Sequence, residues 1–254
     1  MLYAGLVSGC ALHVSRPPKP FVQTTITLSK DPIDIRLIPP APQQETPILT
    51  LFVTGDGGWR SLDEEVFKRI GEQGFAAAGF SASRYLKSMS EVSDTTTPRK
   101  LARDFQQIIR FARQSLNLPP DTRVVMVGIS RGAGLVSIAA GQDTLRDQTA
   151  GIIAIALGDV EDHVVHRKRT ARKSEWVAVE TYVYLRQLTG VPVEILQSTH
   201  DKYTTARKAR ELIGADTPLH HLHAIDAASH TFKGGLPALL AQLKDSLDQL
   251  KRAR

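Results

Sequence analysis

The chain has 254 residues, of which 42% are hydrophobic and 23% are charged, and its formal net charge is +6. This length and composition exclude a disordered chain and a membrane-spanning bundle, and they allow one substantial core without disulfides or a metal. The excess of cations favours anionic partners, whether phosphorylated substrates, lipid surfaces or nucleic acid. Much of the excess lies in two runs, His166–Lys173 and Lys251–Arg254, which alternatively are only solvated surfaces.

The first twenty residues predict an export segment followed by a tether. An apolar stretch ends in Val7-Ser8-Gly9-Cys10, which resembles the lipobox of bacterial lipoproteins, where the cysteine becomes the lipidated N-terminus. The stretch is too short to span a bilayer as a helix. The prolines of Arg16–Pro20 are typical of an extended tether. We therefore expect a periplasmic protein anchored at Cys10, and the alternative is an incidental thiol in an unstructured N-terminus.

Residues 21–254 predict a single domain in which buried strands alternate with amphipathic helices. The elements in chain order are strands Phe21–Leu28, Ile33–Ile38 and Ile48–Val53, a helix from the capping box Ser61–Glu64 to Gly71 or Gly74, strand Phe75–Phe80, helix Pro98–Leu116 capped by Thr97, strand Arg123–Val127, helix Ala133–Ala140, strand Gly151–Leu157, a helical pattern at Glu175–Leu188, strand Pro192–Leu196, helix Thr204–Ile213, strand His220–Ile225 and helix Leu236–Leu250. The alternation predicts an α/β fold with a mostly parallel sheet and helices on both faces. Within it, the polar excursion Val160–Gly190 is a candidate lid or membrane-facing cap, with its basic run toward anionic lipid headgroups.

The sequence places a candidate nucleophile between a strand and a helix. Gly128-x-Ser130-x-Gly132 has the pattern and the context of the nucleophile elbow of α/β-hydrolases. Such a serine needs a histidine base and an acid that orients it, in the chain order Ser, acid, His. His230 lies in the expected loop between the last strand and the closing helix. Asp201 is the favoured acid because it follows the preceding strand, and Asp159 is the alternative.

A second motif, Gly55-Asp56-Gly57-Gly58-Trp59, follows the strand that supplies an oxyanion donor in this fold. Glycines allow backbone N–H groups to approach a tetrahedral oxyanion closely, and the backbone N–H of Arg131 is the expected second donor. A plain glycine-rich turn is the alternative. The spacing does not fit a phosphate-binding P-loop, since no Gly-Lys-Ser/Thr follows.

Three motifs carry a resemblance to a known family: Thr54–Trp59, Ser83-Arg-Tyr85, and the elbow with Gly132-Ala133. The sequence resembles the VirJ/AcvB family of bacterial envelope proteins over roughly Ile48 to His230. The resemblance implies an exported α/β-hydrolase that removes aminoacyl groups from aminoacylated phosphatidylglycerol. It also implies that Ser130, Asp201 and His230 form the catalytic triad. The sequence departs from the family pattern after the nucleophile, at Arg131, and at Gly134, where the pattern has an acidic residue.

For such a substrate we expect Asp56 to meet the aminoacyl ammonium group. We expect cations to meet the lipid phosphate, with Arg60, Arg84, Lys87 and Arg131 as the candidates. No cofactor or metal is expected, because His221-x-His223 has no evident third ligand, and no motif for nucleic acid is present. Two alternatives remain open, a general carboxylesterase or lipase and a non-catalytic binding module of a secretion or virulence system.

Overall fold

The computed structural model describes residues 21–28, 32–42, 48–89, 96–170 and 173–252. The predicted export segment, its lipidated Cys10 and the tether lie outside the described residues. Among the described helices, none combines the length and the apolar character needed to cross a bilayer.

The described residues form ten strands and eight helices. The strands are β1 (Val22–Thr27), β2 (Pro32–Ile38), β3 (Leu49–Val53), β4 (Ala76–Phe80), β5 (Val124–Ile129), β6 (Thr149–Ile155), β7 (Val160–Arg169), β8 (Ser174–Glu180), β9 (Val193–Ser198) and β10 (His220–Ile225). The helices are α1 (Ser61–Glu72), α2 (Ala82–Met89), α3 (Pro98–Ser115), α4 (Arg131–Ala140), α5 (Asp143–Arg146), α6 (Thr181–Gln187), α7 (Ala206–Ile213) and α8 (Leu236–Arg252).

Eight strands form one sheet in the order β1-β2-β4-β3-β5-β6-β9-β10. The strands from β4 to β10 in this order pair in parallel, and β1 and β2 pair antiparallel at one edge. Helices α2, α3, α4, α6 and α7 bury their apolar residues on one face, and α1 and α8 on the other. The predicted architecture is therefore confirmed. Because the carboxyl ends of parallel strands meet at one edge, the residues after β3, β5, β9 and β10 come together there.

The segment from residue 160 to 190 differs from the prediction. β7 and β8 form a separate antiparallel hairpin, and only Thr181–Gln187 is helical, so the helix predicted over Glu175–Leu188 is wrong in its first half. The cause is visible in Trp176-Val177-Ala178-Val179, since aromatic and β-branched residues favour a strand once a partner strand lies alongside. That partner, β7, was treated as polar loop in the sequence.

Helix starts largely follow the predicted caps. Thr97 accepts a hydrogen bond from the Lys100 N–H, and Pro98 begins α3 as predicted. Helix α1 begins at Ser61, but its N-cap is Arg60, whose backbone N–H donates to Asp63. The capping box therefore begins at Arg60, one residue before the predicted Ser61. Helices α2 and α5 were not predicted.

Candidate active site

Ser130 occupies a sharp turn between β5 and α4. Its backbone has φ 52° and ψ −116°, a conformation that is strained for a residue with a side chain. A Cβ on Gly128 would lie 2.3 Å from the Gly132 backbone, and a Cβ on Gly132 would lie 2.2 Å from the Val53 carbonyl oxygen. The elbow therefore needs both glycines for close packing, and it presents Ser130 at the N-terminus of α4, where the helix dipole favours negative charge.

Three predicted side chains meet at the carboxyl end of the sheet. His230 Nε2 lies 2.9 Å from Ser130 Oγ, and His230 Nδ1 lies 2.7 Å from Asp201 Oδ2. The three residues follow β5, β9 and β10, and the Tyr203 ring makes a T-shaped contact with the imidazole, with centroids 4.8 Å apart. In this geometry His230 can accept the serine proton while Asp201 holds the ring in place.

Buried hydrogen bonds fix the Asp201 carboxylate. Oδ2 accepts from Gln197 Nε2 at 3.1 Å, and Oδ1 accepts from the Tyr203 N–H at 2.8 Å. Gln197 is itself held by the Leu157 N–H, which donates to its Oε1 at 2.9 Å. Sequence reasoning missed Gln197, and its one signal was a polar residue at the end of a buried strand. The alternative acid Asp159 is exposed and, among the described residues, makes no hydrogen bond to His230.

Buried Asp63 organises the glycine-rich turn after β3. Its Oδ1 accepts from the Gly55 N–H at 2.9 Å, and its Oδ2 accepts from the Arg60 N–H at 3.3 Å. Burial raises the pKa of Asp63, and these N–H groups oppose the rise. The Gly58 N–H donates to the Gly55 carbonyl at 3.1 Å, and Gly58 has φ 67°, which favours glycine. The N–H groups of Gly55 and Gly58 are therefore used within the turn, contrary to the expectation that the whole turn offers oxyanion donors.

Other backbone N–H groups near Ser130 are not used within the turn. The N–H of Asp56 donates to no acceptor within the described part of the chain. Arg131 is the first residue of α4, so its N–H has no partner within the helix. These two groups are the candidate donors for an oxyanion formed on Ser130.

Trp59 packs against core aromatic residues and lines neither of the two cavities beside Ser130. Its ring packs on Phe52 and Phe67, with centroids 5.6 and 5.1 Å away, and the Arg36 guanidinium lies 3.8 Å from its ring centroid. A Cβ on Gly79 would lie 2.7 Å from the indole. Trp59 therefore positions the turn, and the predicted role in substrate contact does not follow from its location.

The Arg131 side chain is held by three carboxylates. Its Nε donates to Asp56 Oδ1 at 2.7 Å, and its Nη1 donates to Glu161 at 2.8 Å and to Asp162 at 3.0 Å. Burial alone would lower the pKa of Arg131, but the hydrogen bond to Asp56 and the charge of Glu161 raise it above its usual value. Arg131 is therefore already neutralised, which does not favour the expected contact with a lipid phosphate. Asp56, the expected ammonium ligand, is likewise paired.

Two cavities flank Ser130 and differ in charge. The smaller one, of about 260 Å³, is bordered by Arg131 and its partners Asp56, Glu161 and Asp162. The larger one, of about 910 Å³, is lined by Ser130, His230, Tyr203, Arg60 and Lys202, and it also includes Asp56 and Asp63. The serine thus stands between an acidic chamber and a chamber that carries cationic side chains.

The sequence model of the family described as bacterial virulence protein (VirJ) matches residues 47–178, slightly more than half of the chain. The chain belongs to the VirJ family. The matched region contains the glycine-rich turn, the elbow and all the charged residues of the acidic chamber, and it ends before Asp201 and His230. No protein of curated function matches the sequence.

Solved structures place this VirJ family member in the α/β-hydrolase fold. Est1E from Butyrivibrio proteoclasticus superposes with a TM-score of 0.67 at 13% identity, over 91% of this chain and 99% of that one. Esterase 2 from Thermogutta terrifontis gives 0.63 at 17% identity, over 94% and 97%. An α/β serine hydrolase homologue from Coxiella burnetii gives 0.61 at 15% identity, over 89% and 97%. At such identities the likeness establishes the fold.

Glu161 occupies the space beside Gly134, where this VirJ family member departs from the expected acidic residue. Glu161 is 4% exposed, and a Cβ on Gly134 would lie 3.1 Å from its Oε2. Burial raises the pKa of Glu161, and the charge of Arg131 opposes the rise. Ligand atoms of Glu161, Asp162 and His163 converge within 4.8 Å, but the Arg131 guanidinium already supplies positive charge to this cluster. Sequence reasoning missed the cluster because it lies in the segment treated as polar loop.

The predicted phosphate ligands separate into two groups. Arg60 lines the larger cavity, and its Nε donates to the Gly57 carbonyl at 3.3 Å. Arg84 and Lys87 are exposed on α2 and line neither cavity. Lys202, which was not predicted, borders the larger cavity one residue after Asp201. The cations available in the larger cavity are therefore Arg60 and Lys202.

The strand histidines serve another purpose. His221 Nδ1 lies 2.9 Å and His223 Nε2 lies 2.6 Å from the two oxygens of Glu194, which is fully buried in β9. These two contacts link the edge strand β10 to β9. His200 lines the larger cavity, but its Nδ1 lies 3.2 Å from the Ala227 carbonyl oxygen, to which it can donate.

Proposed function

We propose that this protein is a serine hydrolase that removes aminoacyl groups, lysyl or alanyl, from anionic phospholipids in the bacterial envelope. One observation carries this proposal: carboxylates outnumber cations in the smaller cavity beside Ser130, whereas the larger one offers the cations Arg60 and Lys202. The lipobox-like pattern ending at Cys10 supports a periplasmic, lipid-anchored location. Membership of the VirJ family and the α/β-hydrolase fold are consistent with an esterase.

The position of His230 assigns the two sides of the substrate. The base that takes the serine proton must return it to the departing alcohol oxygen, so the alcohol has to lie next to His230. His230 borders only the larger of the two cavities. The alcohol therefore leaves on the side where Arg60 and Lys202 are available to bind an anionic phosphodiester.

The acyl group must then lie on the other side of Ser130, in the acidic chamber. Three carboxylates there face one guanidinium, so the chamber has an excess of negative charge that favours a cationic acyl group. A lipase needs an extended apolar surface for a fatty acyl chain. Val160 is the one hydrocarbon side chain among the residues that line this chamber, so a long fatty acyl chain would find little apolar contact there, which favours an aminoacyl group over a fatty one.

The reaction follows two acyl-transfer steps. His230 Nε2 takes the proton of Ser130 while Oγ attacks the ester carbonyl carbon, and the backbone N–H groups of Asp56 and Arg131 stabilise the oxyanion. The bond to the alcohol breaks as His230 protonates the departing oxygen, which leaves an aminoacyl ester on Ser130. A water molecule, deprotonated by His230, then attacks this ester, and Ser130 regains its proton as the free amino acid leaves.

The first test compares three substrates with the purified protein. We expect release of the amino acid from lysyl- or alanyl-phosphatidylglycerol, with a higher kcat/KM than for a short-chain neutral ester. Cleavage of the neutral ester alone would assign the protein to the general carboxylesterases. Absence of turnover on every ester would favour the binding-module alternative.

The charge of each cavity can be tested separately with two soluble esters, an alanyl ester of a neutral alcohol and an acetyl ester of glycerophosphate. Asp162→Asn removes one carboxylate from the acidic chamber and is expected to lower kcat/KM about fivefold for the alanyl ester only, since one partly screened charge contributes about 1 kcal/mol. Lys202→Gln is expected to lower kcat/KM by a similar factor for the glycerophosphate ester only. Equal effects of each variant on both esters would contradict the assignment of the two sides.

A further inference from the structure

The β7–β8 hairpin has its base in the active site and its far end in solvent. At the base, Val160, Glu161 and Asp162 border the acidic chamber, while Val164 and Val179 are fully buried against the domain. The hairpin forms a two-stranded sheet of its own, apart from the eight-stranded sheet. Its described far end, from residue 166 to 170 and from 173 to 176, is largely exposed.

One face of this far end combines an exposed indole with arginines. Arg167 pairs with Trp176 across the two strands, and Arg169 pairs with Ser174. Residues opposite one another and residues two apart along a strand share a face, so Trp176 shares one surface with Arg167, which lies opposite it, and with Arg169, which lies diagonally across. Trp176 is 63% exposed, which is unusual for so large an apolar group.

The charge of the far end is strongly positive. Lys168 lies on the opposite face, and Lys173 adds a fourth cation near the turn. The described residues at this end include one carboxylate, Glu175, which pairs with Lys173 at 2.7 Å. Arg167, Lys168 and Arg169 have no carboxylate partner among the described residues.

We infer that the hairpin is an arm that docks the protein on an anionic lipid surface, with Trp176 in the headgroup region and Arg167, Lys168 and Arg169 on the lipid phosphates. Tryptophan favours the boundary between water and acyl chains, and each cation near an anionic surface strengthens binding about fivefold. The choice of a lipid over another polyanion rests on the proposed function, because the base of the arm borders the cavity in which a lipid-borne ester would react.

Sedimentation with vesicles tests the cationic part of the arm, in a Ser130→Ala background that prevents turnover. The variant Arg167→Gln/Lys168→Gln/Arg169→Gln is expected to bind phosphatidylglycerol vesicles about 100-fold more weakly than its parent. A matched control, Lys68→Gln/Arg207→Gln/Lys208→Gln, removes three exposed cations from α1 and α7. Unchanged binding by the hairpin variant, or an equal loss in the control, would overturn the inference.

Tryptophan fluorescence tests the aromatic part. The chain has two tryptophans, and Trp59 is packed between core rings, so quenching by brominated lipid should come from Trp176. We expect quenching in brominated phosphatidylglycerol vesicles and none in the Trp176→Phe variant. Quenching that persists in this variant would show that another surface faces the lipid, and it would refute the inference that the hairpin docks on the membrane.

Two further measurements separate the arm from the proposed function. The hairpin variant should hydrolyse a soluble alanyl ester as the unchanged protein does, because the three cations lie outside both cavities. Hairpin-dependent vesicle binding without hydrolysis of aminoacyl lipid would leave the arm intact and refute the proposed function. Hairpin-dependent binding to heparin or DNA, with no binding to vesicles, would assign the basic face to another polyanion and refute the arm.

Discussion

Ser130→Ala is expected to lower kcat for ester hydrolysis by about 10⁵–10⁶-fold, because the acyl-enzyme can no longer form. The remaining groups would still bind substrate, so KM should change little. The measurement is steady-state hydrolysis of the best ester found for the unchanged protein, supported by a thermal unfolding curve. Removal of one partly buried hydroxyl from the elbow should leave the unfolding midpoint nearly unchanged.

The candidate acid Asp201 can be tested against its alternative, Asp159. Asp201→Asn keeps the shape of the buried site but removes the charge that stabilises protonated His230, so kcat should fall by about 10⁴-fold. Asp159→Asn makes the same chemical change at an exposed residue in the loop after β6 and should leave kcat within about twofold of the unchanged protein. A large loss in Asp159→Asn with little loss in Asp201→Asn would reverse the assignment, and full activity in Ser130→Ala would exclude the proposed mechanism.

Gly132→Ala is expected to reduce both stability and activity. The added Cβ would lie 2.2 Å from the Val53 carbonyl and 2.5 Å from that of Thr54, so α4 or the end of β3 must move. Overpacking of this kind costs about 3 kcal/mol, which lowers Tm by about 6–12 °C in a domain of this size. The shift is also expected to separate the two candidate oxyanion donors, and a displacement near 1 Å lowers kcat by about 100-fold.

A second glycine provides the control for this substitution. Gly71→Ala adds the same methyl group in helix α1, where the nearest atom is the flexible end of Ile38 at 2.9 Å. Because alanine also favours a helix, we expect a change in unfolding free energy of less than about 1 kcal/mol and unchanged kcat. The measurements are the Tm and the kcat for ester hydrolysis of both variants. Equal Tm and kcat in the two variants would show that the elbow tolerates a side chain at Gly132.

Local patterns were sufficient for the fold and for the elements that carry the candidate triad. A continuous apolar run predicts a strand buried on both faces whatever its neighbours, and a glycine-flanked serine between a strand and a helix has one common structural use. Thr97 and Pro98 fixed a helix start in the same way, because a cap acts within one turn. Ser130, Asp201 and His230 could be selected because the fold constrains their order in the chain.

The tertiary structure alone decided which charges face one another. Arg131 and Glu161 are 30 residues apart, and nothing in either local sequence indicates that the carboxylate fills the space left by Gly134. The strand pairing of Trp176 with Arg167 likewise depends on a partner strand, so helical periodicity misled the prediction there. Electrostatic pairing and cross-strand contact depend on distance in space, and the sequence encodes that distance only through the whole fold.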